Sequence, residues 1–164
     1  MGEGAHWSDF FVAQVGAAAA LSGLLIVAVS INLQNILTNP HVLPGRAGEA
    51  LIMLVGAMLV ASVSLVPAQP VRLLGMEILA IGAVVLATAA CFQVKSLIRV
   101  RKQPINWWLP RLVLTLVATV PIVAGGMMLA LGHADGLYWA AAGVMLSLAG
   151  GVFNTWILLI EILR

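Results

Sequence analysis

Five long apolar runs with few or no charged side chains divide the chain. They lie at residues 10–37, 47–66, 71–94, 112–132 and 136–160. A helix of about 20 apolar residues is long enough to cross the roughly 30 Å hydrocarbon core of a bilayer. The pattern therefore predicts an all-α fold, a polytopic transmembrane helix bundle with five spans in a single transmembrane domain, 1–164. The predicted spans are residues 8–38, 46–67, 71–98, 110–132 and 136–162.

The links between these runs are of two kinds, short ones at residues 67–70 and 133–135 and longer ones at 38–46 and 95–111. With five spans, the short links fall on one side of the membrane and the long links on the other. Seven of the eight Lys and Arg residues lie on the side of the long links, and only Arg72 lies on the other. Because cytoplasmic loops retain Lys and Arg, the N-terminus is expected outside and the C-terminus in the cytoplasm.

The composition agrees with a membrane protein and limits the kinds of functional site that the chain can contain. Hydrophobic residues make up 62% of the chain, charged residues 9%, and the mean hydropathy is +1.10. A soluble domain has about 25% charged residues. The single cysteine, Cys91, excludes an intrachain disulfide, and the zinc motif His-Glu-x-x-His is absent. No acid pair or nucleophile motif offers catalysis, so we expect no enzyme, no metal and no cofactor.

The link at residues 95–111 is the most basic part of the chain. Two interpretations are open: a topology anchor with its tryptophans in the headgroup layer, or a binding site for anionic lipids at the cytoplasmic face. The segment is too short to be a nucleic-acid-binding domain. The anchor residues are Lys95, Arg99, Arg101, Lys102, Trp107, Trp108 and Arg111.

The last run has one face of small residues that becomes polar toward its end. Spacings of four and three place Gly136, Ala140, Gly143, Ser147, Gly150, Asn154, Ile157 and Glu161 on that face. Small residues let helix backbones approach closely in a membrane. We therefore expect this face to meet another helix or a cavity rather than lipid.

A similar stripe follows the first run, with polar residues at both ends and an apolar middle. It consists of Gln14, Ala18, Leu21, Leu25, Ala28, Asn32 and Asn35. Such a stripe suits a pore with two polar rings, and it equally suits a buried helix whose amides bond to neighbouring helices. Glu77, inside the third run, is either a functional intramembrane acid or half of a structural pair with Arg72 or His133.

The run FFVAQVGAAAALSGLLIVAVSINLQNIL, residues 10–37, and the segment Leu43 to Ala47 after it carry a resemblance. The run resembles the first span of a family of small, uncharacterised bacterial multi-pass inner-membrane proteins. The resemblance implies a multi-pass protein of the bacterial inner (plasma) membrane. It implies no activity and no site residue.

Two functional hypotheses follow from these patterns. The first is a homo-oligomeric channel or passive carrier, with a possible preference for cations because its outer mouth is acidic. The second is a non-transporting accessory or regulatory subunit of a larger membrane complex, because intramembrane ionisable residues are few. The polar residues predicted to line a pathway or to bond between helices are Gln14, Asn32, Asn35, Glu77, Ser147, Asn154 and Glu161.

Overall fold

The computed structural model describes residues 3–38, 43–99 and 105–163, and within them the side chains of residues 6–34, 36, 45–96 and 109–160. Every regular element in these ranges is a helix. The helices are α1 (Glu3–Ile31), α2 (Leu33–Thr38), α3 (Leu43–Val63), α4 (Val71–Arg99), α5 (Ile105–Ala130) and α6 (Gly136–Leu163). All of them except α2 are long and apolar enough to span a membrane, which confirms the prediction of five apolar helices.

The two short links form tight turns, as their length predicts. The turn between α3 and α4 contains Pro67 and Pro70, and Ala68 between them has a positive φ of 55°. The turn between α5 and α6 uses Gly132, whose φ of 93° is the left-handed conformation that glycine adopts without a Cβ penalty. The amide of His133 then donates to the carbonyl of Met128 at 2.9 Å, which closes the end of α5.

The first predicted span, residues 8–38, is not one continuous helix. Helix α1 ends at Ile31 and α2 begins at Leu33, with Asn32 in a turn between them. The Asn32 side-chain amide donates to the carbonyl of Ala28 at 2.9 Å. The Asn32 backbone amide donates to the same carbonyl at the longer distance of 3.3 Å. A side chain that competes for a backbone carbonyl in this way weakens the backbone hydrogen bond of the helix, and the helix is interrupted at Asn32.

Helices α3, α4, α5 and α6 form an antiparallel ring of four. Each packs against its two neighbours, α3 on α4 and α6, and α5 on α4 and α6, so α3 and α5 face each other diagonally. Helix α1 lies outside the ring against α3 and touches α6, where Trp7 meets Tyr138 with ring centroids 4.8 Å apart. Much of α1 remains exposed, including both Gly16 and Gly23, around which a Cβ would meet nothing within 4 Å.

Glycines set the close spacing on both sides of α5. A Cβ at Gly126 would lie 2.6 Å from the backbone nitrogen of Leu79 on α4. A Cβ at the adjacent Gly125 would lie 2.6 Å from the backbone nitrogen of Ala140 on α6. Small residues therefore bring three backbones together, the usual way in which helices associate without a hydrophobic driving force.

The bundle has two ends that differ in charge. We call the basic end the one at which α3 and α5 begin and α4 and α6 end, and the acidic end the opposite one. Arg46, Lys95 and Arg111 lie toward the basic end. Asp9 and Asp135 lie at the acidic end. The two ends correspond to the sides of the long and the short links in the sequence.

Candidate functional site

The core of the four-helix ring changes character along its length. Toward the acidic end it is filled by apolar side chains from all four helices. These are Ala57, Val60, Ile78, Ile122, Leu129, Ala140 and Val144. Toward the basic end the core also contains buried polar and charged side chains, beside apolar ones such as Ala50 and Ala89. The polar and charged ones are Arg46, Glu49, Arg111, Thr115, Thr119, Ser147 and Asn154.

An ion pair crosses the ring diagonally in the polar half. Arg111 on α5 donates from Nη2 to Oε1 of Glu49 on α3 at 2.6 Å and from Nε to Oε2 at 3.2 Å. Glu49 is only 1% exposed and Arg111 8% exposed. The planar guanidinium thus meets both oxygens of the carboxylate, the fork geometry that makes arginine pairs strong and directional. Each charge removed from solvent is compensated by the other.

A second guanidinium lies close to this pair. Arg46 precedes Glu49 by three residues on α3, so the two side chains share one face of the helix, and Arg46 is 6% exposed. Arg46, Arg111 and Asn154 line a cavity of about 200 Å³ that we call the chamber. The remaining lining residues are Pro110, Leu114, Phe153 and Ile157. Since one water needs only about 10–15 Å³ of such volume, the chamber has room for several waters or a small solute.

Neutral polar groups complete the basic half of the core. Asn154 on α6, 3% exposed, donates from Nδ2 to the sulfur of Met53 at 3.6 Å, a weak acceptor. Gln93 on α4 donates from Nε2 to Oγ1 of Thr115 on α5 at 2.9 Å. All four ring helices therefore contribute a polar side chain near the basic end. The arrangement can bind a polar or charged group, and no nucleophile–base pair is evident among the described side chains here.

The stripe predicted on the last span lies on the buried face of α6. Gly136, Ala140, Gly143, Ser147, Gly150 and Asn154 are all buried. They face α5 near the acidic end and α3 and α5 further along, where a Cβ at Gly150 would lie 2.6 Å from Cε of Met53. Ser147 and Asn154 thus belong to the core. The side chain of Glu161 lies outside the described side chains.

The stripe predicted on the first span faces α3 and α6. Its apolar middle, Leu21, Leu25 and Ala28, lines an apolar cavity of about 320 Å³ between these helices. Ala18 and Leu25 are buried, and Leu25 packs in a cluster with Leu54 and Leu158. Gln14 is half-buried, and its Oε1 has no hydrogen-bond partner in the structure. The Asn32 side chain donates to the carbonyl of Ala28 in α1, as described above. The Asn35 side chain lies outside the described side chains.

Glu77 has a different partner from those predicted. Its Oε2 accepts a hydrogen bond of 2.6 Å from Nε2 of Gln69, in the turn before α4. Arg72 and His133, the expected partners, are both exposed at the same end. Gln69 could have been considered from the sequence, because the turn at Pro70 folds it back over the first turns of α4.

The basic link fits its predicted role as a surface anchor only in part. Lys95 is exposed, as an anchor residue requires. Arg111 differs, because its guanidinium turns into the ring to meet Glu49. A buried acid on a diagonal helix is a closer and less hydrated partner than a lipid headgroup. The remaining anchor residues, Arg99, Arg101, Lys102, Trp107 and Trp108, lie outside the described side chains.

Five residues of the polar core were not predicted: Arg46, Glu49, Gln93, Thr115 and Thr119. One signal in the sequence could have indicated the charged ones. Glu49 is an acid inside an apolar run, as Glu77 is, and Arg46 and Arg111 are the basic residues at the starts of the second and fourth runs. An acid inside an apolar run needs a polar or cationic partner from elsewhere in the chain.

Comparisons of the chain with protein-family models, with curated proteins and with solved structures find no match. The resemblance of residues 10–37 to a family of bacterial membrane proteins stays a prediction. Among the described residues, no group of three or more His, Cys, Asp and Glu side chains could hold a metal ion. Function must therefore be inferred from the chemistry of the chamber and its surroundings.

Proposed function

We propose that the protein is a small self-associating channel or passive carrier of the bacterial inner membrane, and that its solute enters through the chamber. The observation that supports this function is the polar core of the basic half, in which two arginines and an amide line a cavity of about 200 Å³ and a buried acid pairs with one of the arginines. The orientation that accompanies the proposal has the N-terminus outside and the basic end in the cytoplasm, from the asymmetry of Lys and Arg.

Buried charge in a membrane protein calls for an explanation. A charged side chain at the centre of a spanning helix costs about 2.5–3.5 kcal/mol on insertion scales, and less nearer the interface. A packed apolar core would avoid this cost, and the acidic half of the same ring has one. Charges retained beside a cavity are typical of substrate and ion pathways. The chamber is therefore the best candidate for a solute site.

A passage also needs a way through the acidic half. The apolar side chains there, among them Val60 and Ile122, leave no polar route through the described part of one chain, so solute movement requires those helices to separate or a second copy to complete the path. The exposed face of α1 supports self-association, because Gly16, Ala20 and Gly23 would allow a helix of another copy to approach closely.

The proposal keeps the possible preference for cations, which is based on the acidic outer mouth, where Asp9 and Asp135 lie. At the chamber the charge of Arg111 is compensated by Glu49. The flux experiment therefore compares cations, anions and neutral solutes.

Solute flux in liposomes tests the proposal. Purified protein should pass small ions or neutral solutes across an otherwise tight bilayer, and Asn154→Leu, which replaces the amide of the chamber with an apolar side chain, should reduce that flux. The control is Met145→Leu, a lipid-facing change on the same helix, because Met145 is 55% exposed. Flux equal to that of empty liposomes for every solute and membrane voltage would exclude a channel or carrier.

The alternative function is a non-transporting accessory subunit of a larger complex. The observation in its favour is the closed apolar packing of the acidic half of the ring, which leaves no continuous polar path in the described chain. Purification from native membranes in a mild detergent separates the two functions. A fixed partner protein at constant stoichiometry would support the subunit, whereas a homo-oligomer of this chain alone would support the channel or carrier.

A further inference from the structure

We infer that an aromatic cavity at the acidic end of the bundle binds an organic ammonium cation, either free in solution or as the headgroup of a phospholipid. The cavity lies at the opposite end from the chamber, so this ligand goes beyond the proposed function and does not rest on it. Three observations lead to it: the arrangement of the aromatic rings, the charge of the surroundings and the level of the cavity along the helices.

Three aromatic rings from two helices line this cavity. Trp7 and Phe10 come from α1, Tyr138 comes from α6, and the remaining lining residue is His6. The Trp7 ring is nearly perpendicular to both of the others, with centroids 4.8 Å from Tyr138 and 6.0 Å from Phe10. Rings set at right angles around one space form the walls of the aromatic cages that hold quaternary ammonium ions, because the face of each ring is negative.

Packing against Phe11 fixes the central ring of the cavity. Phe11 is buried and stacks on Trp7, with ring centroids 5.8 Å apart and planes at 24°. Tyr138, in contrast, is 65% exposed, so its ring is an outer wall of the cavity rather than part of the core. The cavity volume of about 350 Å³ is near the lower limit for small-molecule sites, about 300–1,000 Å³. The cavity therefore suits a small cation rather than a large organic ligand.

The charge around the cavity favours a cation. Asp9 follows His6 by three residues on α1, and Asp135 precedes Tyr138 by three, with the Tyr138 amide donating to the Asp135 carbonyl at 3.1 Å. Residues three apart on a helix are neighbours, so each helix that supplies a wall of the cavity also supplies a carboxylate near it. Of the eight Lys and Arg residues only Arg72 lies on this side, and it packs against the turn between α5 and α6. Acidic surroundings of this kind attract cations.

The level of the cavity along the helices places it among lipid headgroups. The membrane-length segments of α1 and α6 are His6–Ile31 and Gly136–Ile160, so the cavity lies at the first turn of each, at the acidic end. Tryptophan and tyrosine at that level lie in the interfacial layer of a bilayer. The ammonium groups of phospholipids lie in the same layer, and a free cation reaches it from water. Both sources of the cation are therefore tested.

Calorimetric titration of the full-length protein in an uncharged detergent tests the inference. Choline is the free cation, and its control is dimethylbutanol, the neutral analogue in which a carbon atom replaces the nitrogen. Dihexanoylphosphatidylcholine below its micellar concentration is the lipid, and its control is dihexanoylphosphatidylglycerol, which lacks the ammonium group. Saturable binding of choline identifies the free cation, and binding of the phosphatidylcholine alone identifies the headgroup. Binding of neither, or equal binding of each ligand and its control, overturns the inference.

Variants locate the binding in the cavity. Tyr138→Leu should weaken the binding of choline or phosphatidylcholine, whichever the titration identifies, by about two- to thirtyfold, the range that one cation–π contact supplies. Tyr138→Phe, which keeps the ring, should change the affinity by less than about twofold. The matched control is Trp139→Leu, because Trp139 is an exposed aromatic residue at the next position of α6 and does not line the cavity. No loss in Tyr138→Leu, or an equal loss in Trp139→Leu, would refute the cavity as the site.

The dependence of affinity on salt tests the part played by the acids. Asp135→Asn removes a carboxylate and keeps a residue that suits the start of a helix equally well. Binding should therefore become weaker in this variant, and it should change less with ionic strength, because salt screens an exposed charge. The same affinity and the same salt dependence in Asp135→Asn and the parent protein would refute the attraction of the ligand by the acidic surroundings.

Discussion

Removal of either partner of the Glu49–Arg111 pair should destabilise the protein, and the two losses should not add in the double variant. The pair joins α3 to α5 across the ring, and both side chains are almost completely buried. In Arg111→Met the carboxylate of Glu49 loses its two hydrogen bonds. In Glu49→Gln the guanidinium group of Arg111 loses the carboxylate that compensates it.

The expected magnitudes follow from the burial of the pair. Loss of one partner of a buried ion pair costs about 3–5 kcal/mol, because the remaining charge is left uncompensated in a poorly hydrated site. Glu49→Gln should fall at the lower end, since an amide oxygen can still accept from Arg111. The double variant removes both charges, so its loss should be smaller than the sum of the two single losses by about 1–3 kcal/mol.

Equilibrium unfolding by sodium dodecyl sulfate in mixed micelles, followed by circular dichroism, gives the four free energies of unfolding that a double-mutant cycle needs. Arg72→Met is the control, because an exposed arginine should change stability by no more than about 0.5 kcal/mol. Single losses below about 1 kcal/mol, or losses that add within about 0.5 kcal/mol, would show that the two side chains do not form the diagonal pair.

Three further predictions concern other parts of the molecule. Gly126→Ala should lower the free energy of unfolding by about 1–3 kcal/mol, because its Cβ would lie 2.6 Å from a backbone nitrogen of α4, whereas Gly16→Ala on the open face of α1 should have little effect or stabilise. Gln69→Leu should cost about 1 kcal/mol in the same assay, because it removes the donor to the half-buried Glu77, and no loss would contradict that bond. In a Cys91→Ser background, Ala134→Cys should react with an impermeant maleimide in intact cells, and Ser96→Cys should react only after permeabilisation. The reverse result would show that the orientation is opposite to the one proposed.

The sequence predicted the helices well because the membrane imposes a simple rule. Every backbone polar group in the hydrocarbon must be satisfied within the chain, so a long apolar run becomes a helix, and short links make neighbouring helices antiparallel. This rule does not predict the interruption of the first helix at Asn32. It depends on one side-chain amide that competes for the Ala28 carbonyl, and the hydropathy of residues 10–37 does not register that competition.

The candidate site was predictable only on α6. There, small and polar residues recur at helical spacing, and the period alone places Ser147 and Asn154 on the packed face. The charged half of the site lacks such a pattern. Arg111 comes at the end of a basic link, where five Lys and Arg residues together indicate a surface anchor. Its inward direction depends on how α5 is rotated relative to α3, which no local spacing reveals.

The diagonal position of the ion pair links the stability of the ring to the proposed solute site. Helices α3 and α5 are not neighbours in the ring, so the Glu49–Arg111 pair is a direct polar contact between them. Arg111 also lines the chamber. A change that breaks the pair at Glu49 therefore alters both the contact between α3 and α5 and the polar lining of the chamber.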